Sequence, residues 1–326
     1  MKINIILILT CITLLNQGCY HEDKINTNPN GYSLFEFPQG NATWDEELER
    51  IYNDYGVKII YRNITNQILN RAWTQANDIN GDTLTKEHVE QSLNFIVKHI
   101  FGVISPKITK GVLPPYIFIT RNTYTDESKS SIFPLLIMNS SLGIDFWIKC
   151  MEWDIEYVNP QENNSPTSVH LSFPTTRLDS LKCQTGMICK ILQQAINKGV
   201  IETPEFFSEK YFDYKTKLKR EGENYYLNRG FPGDFIYETL SYRYFNSQYM
   251  EFMMMSDINS INEAKNFLLY LCFCLRYAND SPELEEYAPQ ETYPMLHSYR
   301  KKVQEYMLEK YDLDLDAIAS GKIPNN

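Results

Sequence analysis

The chain has 326 residues, of which 43% are hydrophobic and 13% aromatic, enough for one large domain or two closely packed ones. Lysines and arginines number 31 and aspartates and glutamates 41, which gives a net charge of −10. This balance argues against a nucleic-acid partner, because such binding depends on basic groups that neutralise phosphates.

The N-terminus has the pattern of a bacterial lipoprotein leader. The apolar run Ile3–Leu15 follows a lysine and is too short to span a bilayer. Gly18 and Cys19 then have the form of a lipoprotein cleavage site. We predict a signal peptide over 1–18, a lipid on Cys19, and a place in the outer membrane or at the cell surface. The alternative is plain secretion, with Cys19 an ordinary cysteine.

A polar segment with Asn, Pro and Gly follows the leader and predicts a membrane tether over 19–40. The remaining residues, 41–326, are expected to form the domain itself. Two subdomains, 41–177 and 178–326, are an alternative to a single one.

The first half of this domain mixes helices and strands. NATWDEELERIYNDYG, residues 41–56, has helical apolar spacing and ends on a glycine, so it predicts a helix. TLTKEHVEQSLNFIVKHIFG predicts another. Four segments predict strands: VKIIYR, YIFITR, SIFPLLIMN and GIDFWIK.

The segment DINGDTLTKEH begins like a calcium-binding loop. Asp78, Asn80 and Asp82 have the right spacing, but Val89 stands where such a loop needs a bidentate acid. We therefore predict a turn followed by a helix cap.

Helices dominate from Leu178 onward. Apolar residues recur at helical spacing in TGMICKILQQAINKG, INEAKNFLLYLCFCLRYA and ETYPMLHSYRKKVQEYMLEKY. The first of these, residues 185–199, is expected to be a core helix with Leu192 buried. The predicted class is thus α+β, with a small sheet in a mixed N-terminal part and a helical C-terminal part.

Cysteines and aromatic residues are expected mostly in the core. Five cysteines lie outside the leader, at 150, 183, 189, 272 and 274, and no CxxC occurs, so we expect buried thiols rather than a disulfide framework or a cysteine zinc site. The 23 tyrosines and four tryptophans could stack on sugars, but most are expected to be buried.

Several segments together resemble the zinc-binding metallopeptidase lipoproteins predicted in Bacteroidetes, which accompany outer-membrane glycan-uptake systems. They are FEFPQGNATWDEELERIYNDYGVKIIYR, VEQSLNFIVKHIF, PPYIFITRN, the helix at 185–199 and NRGFPGDFIYETLSYRYF. The resemblance implies a zinc-metallopeptidase-like fold with an HExxH helix and an acidic segment downstream. In HExxH, two histidines one turn apart bind zinc and the glutamate acts on the metal-bound water.

The resemblance also implies that this chain has lost the motif. It places Gly186 and Lys190 at the two histidine positions and Met187 at the glutamate. Glycine has no ligand atom, methionine is no base, and a lysine ammonium repels a dication. Gly186 has two further explanations, close packing and a late helix start.

The downstream acidic segment departs from the family as well. Asp234 matches, Tyr237 stands where the family has a glutamate, and Glu238 is one residue out of register. The resemblance leaves these three as a residual pocket. We assign no catalytic residue, no metal and no cofactor, unless the ligands are misaligned, in which case the cofactor is zinc.

The sequence thus favours a non-catalytic surface lipoprotein, a pseudoenzyme that binds a glycan, a peptide or a partner in an outer-membrane nutrient-uptake system. Two alternatives remain open. One is an active zinc peptidase with unrecognised ligands, and the other is a structural subunit of a membrane complex.

Overall fold

The structure is a computed structural model, and it describes residues 35–70, 79–128, 131–134, 145–152, 156–158, 166–168, 177–219, 221–232 and 261–322. Helix α1, Thr43–Tyr55, ends at Gly56, whose φ of 72° lies in the left-handed region that glycine tolerates. This confirms the first predicted helix. Near its start, the Asp45 carboxylate accepts hydrogen bonds from the backbone N–H of Ala42 at 3.0 Å and from the hydroxyl of Tyr61 at 2.7 Å.

The strands of the described residues are β1 Lys58–Ile60, β2 Ile79–Thr83, β3 Tyr116–Ser128, β4 Ser131–Pro134, β5 Phe146–Glu152, β6 Glu156–Val158 and β7 Pro166–Ser168. β3 is the centre of a five-stranded sheet. Its first half pairs in parallel with β1 and β5, and its second half pairs antiparallel with β2 and β4. β6 and β7 form a separate antiparallel pair.

The predicted strands are confirmed in their positions, with changes in length. β3 continues well beyond YIFITR, because its second half gains two further partners. β4 covers only the start of SIFPLLIMN, and residues 135–139 lie outside the described residues. All seven residues of β5 are buried, as expected for a strand covered on both faces.

The predicted turn in DINGDTLTKEH is wrong, because residues 79–83 form strand β2. Asn80 pairs with Tyr124 and Asp82 with Arg121, with a register shift between the two pairs. Gly81 lies at this shift, and a Cβ there would come within 2.9 Å of Leu69 Cδ1 and 3.0 Å of Thr123 Oγ1. Pairing with β3 outweighs the local turn preference. A glycine inside a strand often marks such a bulge.

The remaining described α-helices are α2 Asn66–Leu69, α3 Lys86–Phe95, α4 Pro106–Thr109, α5 Arg177–Asn197, α6 Glu263–Arg276, α7 Pro282–Tyr287, α8 Pro294–Tyr311 and α9 Leu315–Ala319. The helix predicted for TLTKEHVEQSLNFIVKHIFG is α only in α3 and continues as a π-helical segment, Ile96–Phe101. No named strand follows residue 177 in the part of the chain that the structure describes. The α+β class is therefore confirmed.

Helix α5 is central to the core. It packs against α6 and the π-helical segment, and α6 packs in turn against α8 and α9. Leu192 is fully buried in this core, as predicted from its place on the apolar stripe. None of the described helices combines the length and apolar character needed to cross a membrane.

Candidate functional site

The three positions of the expected zinc motif lie in the middle of α5. Gly186 and Met187 are buried, and Lys190, one turn further on, is half-buried. Since α5 begins at Arg177, the explanation of Gly186 by a late helix start is wrong. The glycine lies inside the helix, where it costs about 1 kcal/mol relative to alanine.

The side chains at these positions do not fit a zinc ion. Met187 is 2% exposed and belongs to the hydrophobic core, so its thioether faces apolar groups. The Lys190 ammonium donates a hydrogen bond to Gln193 Oε1 at 3.4 Å, and burial lowers its pKa below the usual value. A catalytic zinc site needs three protein ligands and a water molecule, and these positions supply neither imidazole nor carboxylate.

The other predicted site residues lie outside the described residues. These are Cys19, Asp234, Tyr237 and Glu238. Within the described ranges, no group of three or more His, Cys, Asp or Glu residues could hold a metal ion.

A polar cluster that no sequence pattern predicts joins the start of α3 to the end of β5. Glu152 is buried, and its carboxylate accepts hydrogen bonds from the backbone N–H and the hydroxyl of Thr85, each at 3.1 Å. His88 Nδ1 lies 2.9 Å from Thr85 Oγ1 and 3.2 Å from Glu152 Oε1. Arg121 Nε is 3.8 Å from the same carboxylate.

This cluster contains a hydroxyl, an imidazole and a carboxylate, but it lacks the geometry of a catalytic triad. In a triad, one histidine nitrogen faces the hydroxyl and the other faces the carboxylate. Here Nδ1 of His88 faces both Thr85 and Glu152, so the imidazole is not placed to pass a proton between them. Glu152 instead holds the N-terminus of α3, where a negative charge is stabilising.

A cavity of about 540 Å³ lies beside the C-terminal end of α6 and the end of α9. Arg276 and Lys322 give it positive charge, Asp280 and Glu283 give it negative charge, and Tyr277 contributes an aromatic ring. Its volume is within the range of small-molecule sites. Among the described residues, this cavity is therefore a place where a polar ligand could bind.

Aromatic side chains form a large cluster around α6 and α8, which supports the expectation that most of them are buried. Phe207 packs against Phe212, Phe267 and Tyr270 with ring centroids 5.3–5.6 Å apart. Among the described residues, the tyrosines with substantial exposure are Tyr52 at 39% and Tyr211 at 43%. In the described part of the chain, most aromatic rings thus pack in the interior.

Comparison with known proteins gives little further information. No protein-family model matches the chain, and no curated protein matches it. Among solved structures, it is similar to a "putative zinc-binding metallo-peptidase" from Bacteroides caccae ATCC 43185. The two are 14% identical with a TM-score of 0.45, over 88% of this chain and 93% of the other. A likeness this weak decides neither the fold family nor the activity of this chain.

Proposed function

We propose that this protein is a lipid-anchored surface protein that binds a ligand or a partner and has no zinc-dependent catalysis. It would serve as a binding or accessory component of an outer-membrane nutrient-uptake system. The observation that supports this most is the α5 face described above. Gly186 and Met187 are core residues there, and Lys190 adds a positive charge.

The physical reason lies in what a zinc peptidase needs at these positions. A general base must be a carboxylate or imidazole in contact with a metal-bound water. Met187 has no basic atom and is closed off from solvent. Lys190 could act as a ligand only after it lost its proton, and even then it would supply one ligand of the three that zinc requires.

The cavity beside α6 supports the binding role. Arg276 and Lys322 are donors for a carboxylate, and Asp280 and Glu283 are acceptors for hydroxyl or ammonium groups. This set of groups suits a peptide end or an acidic sugar. The proposed ligand is thus a glycan, a peptide or a partner protein.

Elemental analysis tests the loss of catalysis. We expect protein purified from zinc-supplemented cultures to contain less than stoichiometric zinc, to show no chelator-sensitive peptidase activity, and to melt at the same temperature with and without a chelator. One zinc per chain, together with peptidase activity that a chelator removes, would favour the alternative of an active peptidase with unrecognised ligands.

Metabolic labelling tests the anchor. A fatty-acid analogue should be incorporated into the wild-type protein and into the Cys11→Ala control, but not into Cys19→Ala. A mature protein that is released from membranes with Cys19 unmodified contradicts the anchor. Recovery of the chain from membranes in a constant ratio with other subunits, and only there, would favour the alternative of a structural subunit.

A further inference from the structure

Two thiols meet where α5 packs against α6. The Sγ atoms of Cys189 and Cys272 are 2.7 Å apart, closer than two unbonded sulfur atoms pack. A disulfide bond has an S–S length of about 2.05 Å. The two sulfur atoms therefore lie close to bonding distance.

The other described cysteines have different surroundings. Cys150 Sγ donates to the carbonyl of Glu152 at 3.2 Å, and Cys274 Sγ to the carbonyl of Arg300 at 3.8 Å. Cys183 is buried in the core near Lys149. Only the pair of Cys189 and Cys272, within the described residues, brings two sulfur atoms into direct contact.

We infer that Cys189 and Cys272 form a disulfide that joins helices α5 and α6. The bond would close the long sequence loop from 189 to 272, and a cross-link over a long loop restricts the unfolded chain most. It would also fix the pairing of the two helices at the centre of the core. A protein exported to an oxidising compartment, as the leader predicts, keeps such bonds.

The oxidation is a two-step thiol–disulfide exchange with an external disulfide, such as oxidised glutathione or an oxidised protein dithiol. One cysteine, as thiolate, attacks the external disulfide and releases one thiolate. The other cysteine then attacks the mixed disulfide and releases the second. Two electrons pass to the oxidant, and the two cysteine protons end on the two released thiols.

This exchange must take place before α5 and α6 pack together. Both sulfur atoms are buried in the folded protein, so an external disulfide cannot reach them. Burial also raises the pKa of the Cys189 thiol well above its usual value, which suppresses the reactive thiolate. Once formed, the bond is shielded from reductants for the same reason.

Differential alkylation of the full chain tests the inference. The protein is exported to the periplasm of an expression host, or refolded from denaturant with reduced and oxidised glutathione, and is then alkylated in denaturant without reductant. We expect Cys150, Cys183 and Cys274 to be alkylated and Cys189 and Cys272 to be protected. After reduction, all five should react, and the melting temperature should fall by roughly 5 °C or more.

Matched variants make the result specific. Cys189→Ser should expose Cys272 to alkylation, whereas Cys274→Ser, which changes another buried thiol of α6, should leave the bond intact. If the serine variant does not fold, Cys189→Ala/Cys272→Ala is compared instead with reduced wild type, which it should match in melting temperature. Full alkylation of Cys189 and Cys272 after both preparations, or their linkage to other cysteines in the peptide map, overturns the inference.

Discussion

The side-chain amide of Gln184 on α5 donates a hydrogen bond to the backbone carbonyl of His99 at 2.8 Å. His99 lies in the π-helical segment, and its ring stacks on Phe95 with centroids 4.8 Å apart. Gln184 is itself buried. A buried amide thus supplies a donor to a stretch of backbone that departs from α geometry, and it joins the two halves of the chain.

Gln184→Ala should therefore destabilise the protein. The substitution removes the donor from a partly buried carbonyl and leaves a small cavity at a buried position, which together cost about 1–3 kcal/mol. Asn197→Ala is the control, since Asn197 is on the same helix but exposed, and it should change the unfolding free energy by less than about 0.5 kcal/mol. Denaturant unfolding measures both, and equal effects would show that the bond to His99 contributes nothing.

A charge at Leu192 should unfold the domain. Leu192 is fully buried on α5, and an unpaired carboxylate there costs about 4 kcal/mol or more. Leu308→Asp is the matched control, because Leu308 lies on α8 with 50% of its surface exposed. Thermal melts should show a large loss for Leu192→Asp and little change for Leu308→Asp. An unchanged melting temperature for Leu192→Asp would mean that α5 faces the other way.

Local patterns were enough to predict the long helices and strands β1, β3, β4 and β5, but not the short helices α2, α4, α7 and α9 or the strands β6 and β7. The apolar stripe through Leu192 and the glycine after α1 act within a few residues, so they are visible in the sequence. The strand β2 was missed because its pairing with β3 outweighs the turn preference of Asn80-Gly81. Such pairing depends on residues distant in the sequence.

The polar and thiol contacts of the interior could not be predicted for the same reason. Thr85 and Glu152 are 67 positions apart, and Cys189 and Cys272 are 83 apart. No periodicity within one segment shows that such residues meet. The family resemblance predicted motif positions on α5, and this stays a prediction; the burial of those positions depends on how α5 packs against its neighbours.

Tyr61 should make the protein less stable at high pH. Its hydroxyl is buried and donates to Asp45, and burial together with this carboxylate raises its pKa to about 12. Below pH 10, both the folded and the unfolded chain keep the proton. Between pH 10 and 12 the unfolded chain loses it while the folded chain keeps it, so stability falls by about 1–3 kcal/mol.

Unfolding curves of the wild type and Tyr61→Phe, measured from pH 8 to 12, check this expectation. The variant should be less stable at pH 8, since Asp45 loses a donor, but its stability should decrease less steeply above pH 10. Other tyrosines, such as the partly buried Tyr214, whose pKa is also raised to about 12 by desolvation, contribute equally to both proteins. If the stabilities of the wild type and the variant decrease in parallel above pH 10, Tyr61 has the same pKa in the folded and unfolded chains.

The last prediction separates two lysines of the same helical region, Lys190 and Lys198. Lys190 is half-buried, and its ammonium has one long hydrogen bond, to Gln193. Lys198, just beyond the end of α5, is exposed and donates to the carbonyls of Gly111 at 2.9 Å and Val112 at 3.1 Å. Desolvation therefore destabilises the charged form of Lys190, whereas the hydrogen bonds of Lys198 stabilise the backbone at Gly111 and Val112.

Lys190→Met should keep or raise the unfolding free energy at pH 7, by up to about 1 kcal/mol, and Lys198→Met should lower it by about 1 kcal/mol.

The pH dependence gives a second readout. Because burial lowers the pKa of Lys190 in the folded state, the wild type gains stability as pH rises toward the ordinary lysine value of 10.5. The difference in unfolding free energy between Lys190→Met and the wild type should therefore become smaller as the pH rises. A variant that is less stable than Lys198→Met at every pH would show that Lys190 makes a stabilising contact. If the expected pattern is found, the charge of Lys190 lowers the stability of the folded chain at pH 7.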